Sequence, residues 1–546
     1  MNKTILAAHC AALALLCALP ATAADIVLVN RDAAGVGLNE TTAATPIGGN
    51  PGTTLGQQRQ IAYQYAMDLW GALLKSDAQI RVQASFAPLE CTPGRIVLGQ
   101  AGAIGRVFGS QIPGAKFPTA WHPLALANAI AGKDLSTLDD ISTAFSSAID
   151  QPACRALGAP GWYYGLRGNG ENSLAASNFL NVIMHEIGHG LGAAGGSVSA
   201  PAPWNFASRS NQFDKSMAEV TSANFSRAIV TPGDVVWTGA LANPTAGLMA
   251  EHRRTLQISS PQQASYDLAP AYFGNLDPAQ FPSGEIVVVK DEAVAGQTAG
   301  ARGCDGASGE PRIANADALK GKIALVDRNT VCRTGIQAVN VQKYGAIGLI
   351  SVSNEPGDPI TPAPGQVGAQ VTIPVIGVSL ATGTALRGAG PVLSAGLLTD
   401  ANRFYGLDAA NRLRLYTPAT NQPGSTYSHV DTDMSPNALM EPRESATLTS
   451  HIYIDVALDM FEDMGWPTAR NETARLGDCD TKVPMVRDSF IPGANIVAHN
   501  RLCTRASGGS RSKQLRCMSD QLQLLYSQKH ISSVELGQTR ICLAKQ

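Results

Sequence analysis

Charge is scarce in this chain. Only 15% of its 546 residues are Asp, Glu, Lys or Arg, against about 25% in ordinary globular proteins. Lys and Arg total 41, Asp and Glu total 43, and the formal net charge is −2. That balance excludes a basic nucleic-acid binder and gives no attraction to anionic membranes. No apolar run beyond residue 24 is long enough for a transmembrane helix. There is no C-x-x-C pair, which argues against a Cys₄ zinc site. Internal repeats and long low-complexity runs are absent too. What is present is a normal apolar share, 45%, which excludes wholesale disorder. Gly (54) and Pro (32) are abundant and point to a loop-rich, strand-rich architecture. The length allows two to four domains.

Residues 1–24 read as a signal peptide. Lys3 is the positive n-region, Ile5 to Leu19 the apolar h-region, and Ala21-Thr22-Ala23 an A-x-A cleavage pattern. The mature chain is expected to be soluble and exported, extracellular or periplasmic. Of ten Cys, Cys10 and Cys17 leave with the signal, and eight remain. An even set suits disulfides in an oxidising compartment. Clustering suggests Cys91 with Cys154, Cys304 with Cys332, and two bridges among Cys479, Cys503, Cys517 and Cys542.

Along the chain, Asp25–Val29 reads as a strand, Gln57–Lys75 as a helix, and residues 79–98 as strands again. That order implies an α+β domain. Ser173–Leu191 and Thr449–Met464 read as further helices, the second stopped by Gly465 and Pro467. Between about 254 and 399 the texture changes to short apolar strand runs around one helix-like piece, Gly335–Tyr344. The last segment, 470–546, is polar and holds four of the Cys.

The sharpest motif is His185-Glu186-Ile187-Gly188-His189, inside a predicted helix. Residues i and i+4 project from one face, so two imidazoles can converge on one ion. Glu186, beside the first, can reach a water on that ion. This is the H-E-x-x-H arrangement of zinc peptidases. A catalytic zinc takes three protein ligands and leaves a fourth position open. In the compact metzincin form the third is a His six residues after the second, behind a glycine. Gly192 matches the glycine, but Gly195 stands where that His would be. The third ligand must therefore come from elsewhere. His429 is the leading candidate. Glu219, His252 and His451 stay open as alternatives.

His429 is followed, eleven residues on, by Met440 within Leu439-Met440-Glu441-Pro442. Together with H-E-x-x-H-x-x-G, this resembles the leishmanolysin-like zinc peptidases, a metzincin branch. Those enzymes insert a long segment before the third His and carry a Met-turn eleven residues after it. The resemblance implies His185, His189 and His429 as zinc ligands, Glu186 as general base, and Met440 as a floor beneath the site. Here the gap from His189 to His429 is 240 residues, longer than is usual in that family. An inserted domain would account for it. Leu319–Arg328 with Cys332, Gly345–Ile350 and Ile373–Ile376 resemble a protease-associated (PA) domain, a non-catalytic module thought to bind substrate or gate access.

The expected fold is thus α+β: a zincin-like catalytic domain (25–253 and 400–469) interrupted by a β-rich PA domain (254–399) and followed by a small Cys-rich domain (470–546). The expected activity is zinc-dependent hydrolysis of peptide bonds in proteins or peptides. One catalytic Zn²⁺ is expected, with no nucleic-acid partner. Asp139-Asp140 and Asp431-Thr432-Asp433 could touch calcium but form no loop motif. The alternative is an exported, non-catalytic binding protein on a degenerate zincin scaffold, for which Gly195 is the support.

Overall fold

The computed structural model describes residues 23–92, 95–157, 159, 161–167, 176–195, 211–219, 235–275, 281–293, 300–329, 331–418, 422–444 and 448–546. The expected signal segment therefore lies almost wholly outside the described residues. Among those described, no helix is long and apolar enough to cross a membrane.

The first half is built on a four-stranded sheet in the order Ile26–Asn30, Ile80–Ala87, Ile141–Ser146, Gly99–Ala103. The first three strands run parallel, and Gly99–Ala103 runs antiparallel along the edge. Two helices cover this sheet. The first, Leu55–Leu73, starts where the Thr54 side chain accepts from the Gln57 N–H. It begins and ends two residues earlier than its periodicity suggests. The second, Phe179–Leu191, carries the H-E-x-x-H motif. It was expected from Ser173, but Ser177–Asn178 forms a short strand instead. The Asn178 side chain then accepts from Asn181 N and opens the helix.

These helices share one core. Trp70 donates from Nε1 to the Met184 carbonyl (3.1 Å) and meets Phe461 edge-to-face at 5.1 Å. Phe461 belongs to the helix Val456–Met464. The sequence pattern runs from Thr449, but the helix begins later, where the Asp455 side chain accepts from Ala457 N and fixes the first turn. Gly465, at φ 105°, ends it as anticipated.

Between the two halves stands a closed seven-stranded barrel, from His252–Ser260 to Val392–Phe404. Its first and last strands pair antiparallel, with His252 opposite Phe404. The entry and exit of this insert are thus neighbours, and the interrupted domain closes beneath it. Tyr405 N reaches the Glu251 carbonyl, Trp237 N reaches that of Leu413, and Leu415 N reaches that of Val235.

The Cys-rich tail has an apolar cluster of its own, around Ile496, Met518, Leu522 and Leu543, and also packs on the first half. Its helix Pro492–Ala506 lies along Leu55–Leu73 and contributes Ala494, Ala498 and Leu502 to the main core. Asn495 Nδ2 donates to the Tyr65 hydroxyl (3.0 Å), and Arg505 and Arg501 pair with Asp68. The first helix is therefore covered on two sides, which is why more than one face of it is apolar. Four disulfides join Cys91–Cys154, Cys304–Cys332, Cys479–Cys542 and Cys503–Cys517.

Candidate metal centre

The motif helix brings His185 and His189 to one face, as a four-residue step must. His429 arrives from the far side of the barrel, 240 residues later. The three Nε2 atoms form a triangle: 3.0 Å between His185 and His189, 3.0 Å between His189 and His429, and 3.2 Å between His429 and His185. Each Nδ1 faces a backbone carbonyl. His185 pairs with Leu439 O at 2.6 Å, His189 with Ala193 O at 2.5 Å, and His429 with Ser425 O at 2.8 Å. A carbonyl only accepts, so each Nδ1 carries the proton and each Nε2 presents a lone pair.

Three lone pairs in contact repel unless a cation lies among them. Protons do not supply it. Burial and the neighbouring His189 push His185 down to about 3, and burial also holds His189 and His429 below the usual imidazole range. A tetrahedral ion with Zn–N bonds of about 2.0–2.1 Å sets its ligand atoms about 3.3 Å apart. The observed triangle fits that requirement closely, and the donor set, three neutral imidazoles, suits zinc.

Small residues hold the triangle together. A Cβ at Gly188 would lie 2.8 Å from Met440 Sδ, so the absent side chain admits Met440 beneath the motif helix. Met440 is 1% exposed. Val430 N bonds to the Met440 carbonyl at 2.8 Å and closes the loop from His429 to the methionine. Glu441 braces that turn, accepting from Ala438 N and Asn437 Nδ2. Gly195 has its own task. A Cβ there would lie 2.7 Å from the Tyr427 carbonyl oxygen, and Gly195 N donates to Ser428 Oγ at 3.1 Å. Gly195 is thus the docking point for the segment that carries His429.

Glu186 is 5% exposed and lies across from the edge strand. A Cβ on Gly99 would come within 2.6 Å of its Oε1. Burial pushes the Glu186 carboxyl up to about 8, and positive charge held by the histidines would draw it down again. All four side chains line one cleft of about 1170 Å³. Its walls are Gly99–Ala103, the hairpin near Cys91, and the barrel loops around Arg328–Thr334 and Glu355–Gly365.

The other candidates sit elsewhere. Glu219 ends the strand Met217–Glu219, paired with Val235–Trp237. His252 stacks on Phe404 at 4.5 Å, and His451 is buried beside the tail. His499, Cys503 and Cys517 also cluster, but the two sulfurs are bonded to each other and offer no thiolate. The acidic pairs considered for calcium are occupied by arginines and amides. Asp139 binds Arg31 and Arg81, Asp140 accepts from Arg81 N and Asn128, Asp433 pairs with Arg253, and Asp431 lies 3.5 Å from Arg414. Sequence reasoning missed the three orienting carbonyls and the glycines at 99, 188 and 195. Backbone acceptors leave no mark in sequence. The glycines could have been questioned, since Gly188 costs helix stability without a visible reason.

Comparison with known proteins adds one family. Residues 279–386 match the PA domain. The barrel therefore contains a PA domain, with its outer strands His252–Ser260 and Ala264–Pro270 before the matched span. No curated protein matches the chain. Among solved structures, BSAP, a zinc aminopeptidase from Bacillus subtilis, is similar at 21% identity, covering 30% of this chain and 37% of that one, with a TM-score of 0.18. An aminopeptidase from Aneurinibacillus sp. strain AM-1 is similar at 18% identity, over 29% and 38% of the two chains, with a TM-score of 0.16. The shared part is little more than a third of those proteins, and at these scores the likeness adds nothing to the reading of the site.

Proposed function

We propose that this chain is an exported zinc metalloendopeptidase of the metzincin type, akin to the leishmanolysin-like peptidases, interrupted by its PA domain. The observation that carries the reading is the Nε2 triangle of His185, His189 and His429, with Glu186 beside it in an open cleft. Zinc held there supplies Lewis acidity toward a peptide carbonyl and an acidified water as nucleophile. The three histidines stay neutral and keep their Nε2 lone pairs pointed inward, fixed by the carbonyls behind them. Glu186 takes a proton as general base and returns it to the leaving amine. Met440 packs as a floor and coordinates nothing.

The edge strand supports an endopeptidase. Gly99–Ala103 pairs with Ile141–Ser146 on one side and lines the cleft with its residues. An extended peptide can add to such an edge through main-chain hydrogen bonds, which need no free terminus. Export fits the signal-like first 24 residues and the four disulfides. The non-catalytic alternative loses its support, because Gly195 has a packing reason to be glycine.

The test is Glu186→Gln. The variant is expected to retain zinc and to lose hydrolysis of an unfolded protein such as casein by several orders of magnitude. Turnover equal to the parent protein's would overturn the mechanism.

A further inference from the structure

The barrel does more than interrupt the catalytic domain. Its loops reach the cleft and bring two arginines, Arg328 and Arg333, to the wall that also holds Arg443. Among the described residues none of the three forms an ion pair. Arg328 donates from Nη1 to the neutral Asn354 Oδ1 at 2.6 Å. Arg328 and Arg333 are partly buried, and Arg328 feels both Arg443 and Arg333 as like charges. Glu355 acts on Arg328 only from beyond ion-pair distance. Of the carboxyls in the cleft, burial pushes Glu444 up to about 7 and raises Glu441 well above its usual range, so neither is a strong counter-charge. Three guanidinium groups on one cleft, with Glu355 as a counter-charge only from beyond ion-pair distance, are under-compensated in the free protein, and that cost is relieved when an anion arrives.

We propose that Arg328, Arg333 and Arg443 form a carboxylate-binding subsite, so that the PA barrel selects peptides with a carboxylate near the scissile bond. This rests on the peptidase reading above. A peptide brings carboxylates from two sources, Asp or Glu side chains and its C-terminus. Both match the planar fork of a guanidinium.

The experiment uses the full zinc-loaded chain and fluorogenic peptides that differ only by Glu or Gln at single positions around the cleavage site. Each is made with a free and an amidated C-terminus. A hydrogen-bonded charge contact of this kind is worth on the order of tenfold in kcat/KM. The Glu peptide, or the free-acid peptide, is expected to exceed its neutral twin by about tenfold. Whichever pair shows the preference identifies the source. Arg328→Gln with Arg333→Gln is expected to bring the ratio to near one. Arg443→Gln, on an exposed side chain, is expected to reduce it without disturbing folding. The same pairs are titrated against the Glu186→Gln protein by fluorescence anisotropy. If nothing is cleaved but carboxylate-dependent binding is present and lost in the arginine variants, the subsite stands and the peptidase reading falls. Equal binding and equal turnover of the paired peptides, or a preference that survives the arginine variants, would overturn the proposal.

Discussion

Gly195→Ala is the most revealing small perturbation. The added methyl carbon would stand 2.7 Å from the Tyr427 carbonyl oxygen and 3.0 Å from its carbon. Ordinary contact begins near 3.4 Å, so relief demands a shift of about 0.7 Å (3.4 − 2.7) in backbone two residues before His429. A designed metal site tolerates about 0.5 Å. The bond from Gly195 N to Ser428 Oγ would also stretch from 3.1 Å. The stability cost is about 1–3 kcal/mol for overpacking. Because a displaced support acts on its ligand, zinc affinity is expected to fall by about 10–100-fold. Competition against a chromogenic chelator measures the affinity, and urea unfolding of the zinc-free chain measures the stability. Gly247→Ala, in the helix Ala242–Met249 with nothing within 4 Å of the added atom, is the control and should bind zinc as the parent does. Parent-like affinity in Gly195→Ala would refute the idea that Gly195 seats the third ligand.

Two further outcomes follow from the same geometry. Gly99→Ala would press its methyl within 2.6–2.9 Å of the Glu186 carboxyl group; zinc should be retained while kcat/KM falls by about 10–100-fold, and unchanged turnover would show that Glu186 has room to spare. His499 is buried against the Tyr65 ring and pushed down to about 3 by burial. Its folded pKa lies below the unfolded value of about 6.5, so the unfolded chain alone takes up the proton as pH falls, and stability is lost from pH ~6.5 downward. At pH 5 this one imidazole costs about 2 kcal/mol, so His499→Phe should shrink the stability lost between pH 7 and pH 5 by about that amount; denaturant unfolding at the two pH values with an undiminished slope would contradict it.

Much of the centre was legible in the sequence because its chemistry is local. Four residues of helix fix how His185 and His189 face. The eleven-residue interval from His429 to Met440 is the length of one closed loop. Helix starts were less legible, since Asn178 and Asp455 act through side-chain caps that override the apolar periodicity upstream. The contact of the Cys-rich tail with the first helix was not legible, because the tail is polar on average. Three small or apolar positions of its helix Pro492–Ala506, Ala494, Ala498 and Leu502, fit a helix over 400 residues away. The cationic wall of the cleft was invisible for the same reason. Nothing near Arg328 or Arg333 in sequence says that a barrel loop will meet the segment carrying Arg443.

The central claim is that His429 completes a metal site begun by His185 and His189. Metal analysis of the purified full-length chain, beside His429→Ala, tests it most directly. The account predicts one zinc per parent chain, and in the variant loss of the ion on dialysis with the fold retained. A His429→Ala protein that holds zinc with the parent's stoichiometry and affinity would contradict it.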